Sequence, residues 1–250
     1  TYTASLSSPL SNSIPFSGSM LSFLLKLNFI SSMLHSSISV VCAFFIGFPI
    51  AIFIRRRVKK VAQHRVMLLF ILPFMVSEII RIFALRPILS RNGVVNSFLM
   101  DMNLIDSPFS IFVFTPTGVV IGEIVSFLPF MIFSTFLALE AIPNYIFEVC
   151  ADLGVNRRRM FKDIFLPLAA PGLFAGSVFI FVNGIGIALI PTILGGPGSV
   201  NAGLIATQAI IALDFPLAMA VSAIMMFTLM GLLYLGHRLF NLTKLLEPIS

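Results

Sequence analysis

Five stretches of this chain are apolar over lengths that a water-soluble fold has no use for: 33–54, 66–88, 112–139, 164–192 and 209–236. A helix crossing hydrocarbon needs about 20 mostly apolar residues, because each residue rises only about 1.5 Å and the segment must satisfy its own backbone hydrogen bonds. All five stretches meet that length. The third and fourth exceed it and contain Pro129 and Pro171, so tilt or kinks are expected there. Composition agrees: of 250 residues, 58% are hydrophobic and 10% are charged, against roughly 25% charged in a soluble domain. Ten acids and sixteen bases cannot coat a water-facing shell of this size. The expected fold is all-α, a polytopic transmembrane helical bundle with five spans.

The net charge of +6 does not indicate nucleic acid, because bases that bind a phosphate backbone share one folded face with polar or aromatic residues between them. Twelve of the sixteen bases sit instead in three groups between apolar stretches: Arg55, Arg56, Arg57, Lys59, Lys60 and Arg65; Arg157, Arg158, Arg159 and Lys162; and Arg238 with Lys244. Short cytoplasmic loops retain Lys and Arg in this way. With all three groups inside, the spans alternate correctly and end with a cytoplasmic C-terminus. Lys26, Arg86 and Arg91 fall outside, and Arg81 within a span. The N-terminal segment 1–32 is then extracytoplasmic. It carries no basic leader of the kind a secretory signal peptide has, so an earlier span is expected to precede it. Cys42 and Cys150 fall in different compartments by this topology, and neither a disulfide framework nor a metal site is expected.

The most informative segment lies between two spans, at 140–167: EAIPNYIFEVCADLGVNRRRMFKDIFLP. Pro143 suits a first helical turn, Ile146, Phe147, Val149 and Cys150 supply an apolar side, and Gly154 suits the left-handed residue that stops a helix. A second short helix then starts near Asn156 and carries the arginines. A helix-Gly-helix element exposed in the cytoplasm offers a knob for a groove on another protein. An amphipathic interfacial helix without a partner is the alternative reading of the pattern.

The spacing of Glu148, Gly154, Ile164 and Leu166-Pro167 resembles the EAA loop of bacterial ABC importer permeases, with Val149 and Cys150 in place of the two alanines that follow Glu. The resemblance implies a type I importer permease fold over 33–250, with six spans in the family's subunit and the first one missing here. It further implies that Glu148, Ala151, Asp152, Gly154, Arg157, Ile164, Leu166 and Pro167 form the coupling helix and its surroundings, docking on an ATP-binding subunit dimer. ILPFMVSEIIRIFALRPILSRNGVVNSFL at 71–99, FTPTGVVIG at 114–122 and LIPTILGGPGS at 189–199 look like spermidine/putrescine permeases. These imply a second homologous permease, an extracytoplasmic substrate-binding protein and polyamine cargo. Importers of opines, ferric iron and thiamine share much of the pattern.

Ionisable groups within a bilayer are expensive and ask for a partner or a role. On a straight second span, Glu78 and Arg81 lie about 18 Å and 22 Å from its cytoplasmic start, and Glu123 about 10 Å below the outer surface. Glu78, Glu123, Asn183 and Asp214 are the candidates for the substrate path. Against that role, Glu78 and Arg81 could neutralise each other at i, i+3, Glu123 and Asn183 could hydrogen-bond neighbouring helices, and Asp214 before Phe215-Pro216 could cap the last helix.

No catalytic chemistry is expected. A phosphate-cradling Gly-x-x-x-x-Gly-Lys-Ser/Thr is missing, so the chain binds no cofactor itself and ATP with Mg belongs to the partner ATPase. His35, His64 and His237 are too scattered for a metal, and no Gly-x-Ser-x-Gly supplies a nucleophile. An autonomous secondary transporter and an intramembrane enzyme are the rival classes. The coupling loop speaks against the first, and the lack of a reactive cluster against the second.

Overall fold

A computed structural model describes residues 18–110, 112–143, 145, 146, 149, 152, 154–156, 159–196 and 198–240. Its elements are α1 (Gly18–Arg57), α2 (Lys60–Met75), α3 (Glu78–Leu89), α4 (Val94–Asp101) and α5 (Pro116–Glu140). A π-helical turn (Met160–Phe165) then leads without a break into α6 (Leu166–Gly186), followed by α7 (Leu189–Leu194), α8 (Ala202–Ile211) and α9 (Phe215–Phe240). No strand occurs among the described residues.

The bundle is organised around α1, α5 and α6, which pack on one another. Their mutual approach depends on small residues. A side chain on Gly172 would run into the carbonyl of Ser134, and one on Gly176 into the Met131 and Ser134 side chains. Two glycines four apart on α6 thus let α5 come close, the usual device where lipid removes any hydrophobic drive between helices. Phe48, Met131, Phe136, Phe165 and Ile180 are buried at this centre. Phe45, Phe53, Phe227 and Tyr234 face outward, 61–72% exposed, as a lipid-covered surface requires.

Among the described residues, four helices are long and apolar enough to cross a membrane: Asn28–Arg57, Pro116–Glu140, Met160–Gly186 and Phe215–Tyr234. Lys60–Met75 and Glu78–Asp101, whose axes differ by 91°, form a bent pair that is either a broken fifth span or a re-entrant loop. The stretch 66–88 is therefore not one straight span, and depths counted along it do not hold. Pro73 has no N–H to continue α2, Val76 is extended at φ −84°, ψ 133°, and Ser77-Glu78 starts a new helix with an acid in its first turn.

Other boundaries shift for local reasons. The stretch 164–192 divides at Ile187, which is extended, so 189–194 forms the separate α7. The stretch 209–236 divides at Ala212–Asp214, where Leu213 adopts φ 61°, leaving 209–211 in α8. In α1 the helix starts at Gly18, so the division at residue 32 falls inside a helix.

Candidate functional site

Two features carry chemistry: the loop that follows α5, and the polar groups buried between the long helices.

The loop is fixed at both ends. The guanidinium of Arg55, in the last turn of α1, donates from Nε to the Leu139 carbonyl at 3.2 Å and from Nη2 to the Ile142 carbonyl at 3.1 Å. Both carbonyls lie where the helical ladder of α5 stops or just beyond it, and that of Leu139 also accepts the Ile142 amide at 3.3 Å. Gln63 of α2 does the same for α1, its Nε2 lying 2.9 Å from the Val58 carbonyl and 3.0 Å from that of Arg55. His64 Nε2 stands 3.6 Å from Glu140 Oε1. Beyond the latch, Ile142 and Met160 are buried, and Ile146, Val155, Ile164 and Leu166 pack against the same core. Tyr145, Val149 and Asp152 face outward.

Gly154 stands between the two arms with φ 62°, and nothing lies within 4 Å of where its Cβ would be. The left-handed backbone, not crowding, is what selects glycine there. Pro167 is exposed at the junction of the π-helical turn and α6, where its missing N–H gives no hydrogen bond to the turn before it. Of the eight loop residues singled out by sequence, Asp152, Gly154, Ile164, Leu166 and Pro167 are placed by the structure. Glu148, Ala151 and Arg157 lie outside the described residues.

The four substrate-path candidates do not converge. Glu123 is 1% exposed and faces inward. A side chain on Gly184 would meet both its Oε2 and the Ser36 hydroxyl. Ser36 Oγ, Ser39 Oγ and Glu123 Oε2 are all buried without a hydrogen-bond partner, so α1, α5 and α6 enclose a small polar cluster. Asn183 is half-buried and donates to Phe179 O of its own helix at 2.8 Å, not to a neighbour. It borders an apolar cavity of about 480 Å³ that Phe130, Phe174 and Leu233 also line.

Glu78 sits just beyond the α2–α3 break, and it and Arg81 form no ion pair within 4 Å. Arg81 Nη1 instead donates to Ser126 O of α5 at 3.1 Å, and its guanidinium lies 5.4 Å from the Phe74 ring centre. Asp214 is exposed and accepts from the Leu217 amide at 3.1 Å, a cap on α9. Among the described residues, no three His, Cys, Asp or Glu side chains are grouped to hold a metal.

Sequence reasoning missed the serines and the aromatic cluster. Ser32, Ser36 and Ser39 recur at spacings of four and three, one face of a helix, and that signal was available. The rings of Phe130 and Phe179 stack at 3.8 Å, with Phe127 5.9 Å from Phe179. Among 27 phenylalanines, nothing in the sequence marks these.

Residues 18–245 match the family described as binding-protein-dependent transport system inner membrane component. The chain is 30% identical over 84% of its length to 74% of the spermidine/putrescine transport system permease protein PotB of Haemophilus influenzae. It is 32% identical over 80% of its length to 72% of the Escherichia coli K12 protein of the same name. Among solved structures, a bacterial ABC transporter that imports the acidic polysaccharide alginate superposes with a TM-score of 0.69 at 16% identity, over 93% of this chain and 85% of that one. The inward-facing MetNI methionine ABC transporter superposes at 0.66 and 16%, over 88% and 96%. The long membrane-crossing helices, the latched loop after α5 and these matches agree: the chain belongs to the family of binding-protein-dependent transport system inner membrane components, as an all-helical, multi-pass permease subunit of an ABC importer.

Proposed function

We propose that this subunit pairs with a second, homologous permease to carry polyamines inward by alternating access, driven by a separate ATPase dimer and supplied by an extracytoplasmic binding protein. The observation that carries the reading is the loop at Gly154. Its apolar face is anchored in the bundle, its other face presents Tyr145, Val149 and Asp152, and it leads through Arg159 directly into α6. A push on the exposed face is therefore delivered to a helix of the core. Glu148, Ala151 and Arg157 complete the docking surface, and ATP with Mg is bound by the partner, not by this chain.

The cargo assignment is supported by the similarity to relatives named as spermidine/putrescine permeases. The positive-inside rule supports placing Arg55–Arg57, Lys162 and the C-terminus in the cytoplasm, with the N-terminal segment that precedes the span starting at Asn28 on the extracytoplasmic side. Glu78, Glu123, Asn183 and Asp214 remain the residues proposed for the substrate path, with Glu123 reached only if α1, α5 and α6 move apart.

The test is ATPase activity of the reconstituted assembly with its binding protein, comparing spermidine, putrescine, an opine and ferric iron as stimulants. Stimulation by polyamines alone is expected. Stimulation by another solute alone would replace the cargo, and failure to copurify with an ATPase would remove the coupling reading.

A further inference from the structure

The end of α3 and residues Phe109, Ser110, Val113 and Phe114 line an open cavity of about 490 Å³. It is a built cavity, held from behind by one side chain. Asn96 is fully buried. Its Nδ2 donates to the carbonyls of Ser90 at 3.1 Å and Phe109 at 2.9 Å, and its Oδ1 accepts from the Phe109 amide at 3.0 Å. Ser90 and Phe109 both line the cavity, so two of its walls are set before any ligand arrives.

Phe114 forms a third wall from a backbone at φ 59°, a region that bulky residues avoid unless their surroundings impose it. Here its amide donates to Leu194 O at 2.7 Å. The guanidinium of Arg86 lies 5.1 Å from the Phe114 ring centre, and Arg91 lines the same cavity. Neither arginine has a carboxylate within 4 Å among the described residues.

Two guanidiniums beside an apolar lining of Phe109 and Val113 select an anion attached to an apolar body. They repel a polyamine, so the cavity is not a cargo site. It lies beside the start of α5, at the end of that helix opposite the Arg55 latch. The adjoining surface of α3 and α4 exposes Phe83, Ile88, Val94 and Phe98. An acidic protein loop would use the arginines and leave this apolar surface uncovered, whereas a phospholipid uses both.

We propose that this cavity binds the phosphodiester headgroup of an anionic phospholipid, the phosphate held by Arg86 and Arg91. The exclusion of a cargo role rests on the polyamine reading given under the proposed function, and the leaflet from which the lipid enters rests on the orientation given there; the lipid contact itself rests on neither.

Native mass spectrometry of the purified complex, titrated with phosphatidylglycerol or with phosphatidylcholine, tests the idea. The intact protein is expected to retain phosphatidylglycerol preferentially. The R86Q/R91Q variant should lose about 25-fold of that preference, at about five-fold for each arginine. R86K, which keeps the charge but not the planar stacking on Phe114, should fall in between and guards against misfolding of the double variant. R65Q, which removes one positive charge from α2 away from the cavity, should leave the preference unaltered.

Equal retention of the two lipids, or an unaffected double variant, would overturn the proposal. So would full displacement of the lipid by millimolar inorganic phosphate, which would mark a site for a free anion. Loss of binding-protein docking in the double variant with lipid retention intact would assign the arginines to an acidic protein partner. Lipid retention requires neither ATP nor cargo, so it stands or falls separately from polyamine import.

Discussion

The Arg55 guanidinium bridges the Leu139 and Ile142 carbonyls, so the last turn of α1 closes the end of α5 at the point where the loop containing Gly154 departs. A cation at a helix C-terminus is favoured by the aligned peptide dipoles, and the two bonds from one planar group fix direction as well as distance. Replacing Arg55 with Ala removes both and is expected to lower stability by about 1.5–3 kcal/mol. R55K, with a single point donor, should recover part of that stability while leaving ATPase activity poorly stimulated by cargo. Thermal unfolding and ATPase assays of the reconstituted complex separate these effects.

Gly154 should tolerate Asn far better than Val. The site is open, with nothing within 4 Å of a Cβ, and φ is 62°, so the penalty is backbone strain alone, about 1–2 kcal/mol for an ordinary residue. Asn visits the left-handed region readily, and a β-branched Val does not. Uptake is expected to survive G154N and to be lost in G154V at equal membrane abundance. Unchanged uptake by G154V would show that the left-handed stop is dispensable.

Gly184→Ala places a methyl against Ser36 Oγ and Glu123 Oε2. The α1–α5–α6 packing must open to admit it, at an expected cost of about 1–3 kcal/mol. A companion Ser36→Ala change, which removes the nearest of the three obstructing atoms (Ser36 Oγ, Ser36 Cβ and Glu123 Oε2), should restore part of the loss. A double-mutant cycle in thermal unfolding reads the coupling, and strictly additive effects would show that the two sites do not touch.

Asn96→Ala leaves the Phe109 carbonyl and amide without the Asn96 side chain as partner, while the Ser90 carbonyl keeps the Gly93 amide at 2.9 Å. Buried polar groups stranded in this way cost about 1–3 kcal/mol. The same variant should also weaken phospholipid retention, because the cavity walls lose their brace. A variant that unfolds earlier yet retains lipid normally would divorce the brace from the cavity.

The sequence made the membrane-crossing helices legible because hydrocarbon imposes one length on all of them, and the helix breaks were the part it hid. In the stretch around Val76 and Ser77, apolar content is as continuous as in a true span, and only the joint action of Pro73, a β-branched residue and a Ser-Glu helix start breaks it. Arg55 was readable as one of a basic group, but not as the member whose side chain turns inward, since that depends on where α5 ends. Glu123 was readable as an intramembrane acid. Its enclosure by Ser36 and Gly184 was not, because those residues lie about 60–90 positions away in a chain whose helix pairing is set by tertiary packing.

Under the alternating access proposed above, the unbroken run from Met160 to Gly186 acts as a rocker arm. Twenty-seven residues extend about 40 Å. At the far end Asn201 grips the Gly184 and Ile187 carbonyls at 3.0 Å and 2.7 Å, which makes that end the fulcrum. A swing of about 5° there carries the Met160 tip through about 3.5 Å on an arm of that length. Gly184, beside the fulcrum, hardly translates and instead rolls against Glu123. On that arrangement a large displacement at the loop reaches the buried carboxylate as a small rotation.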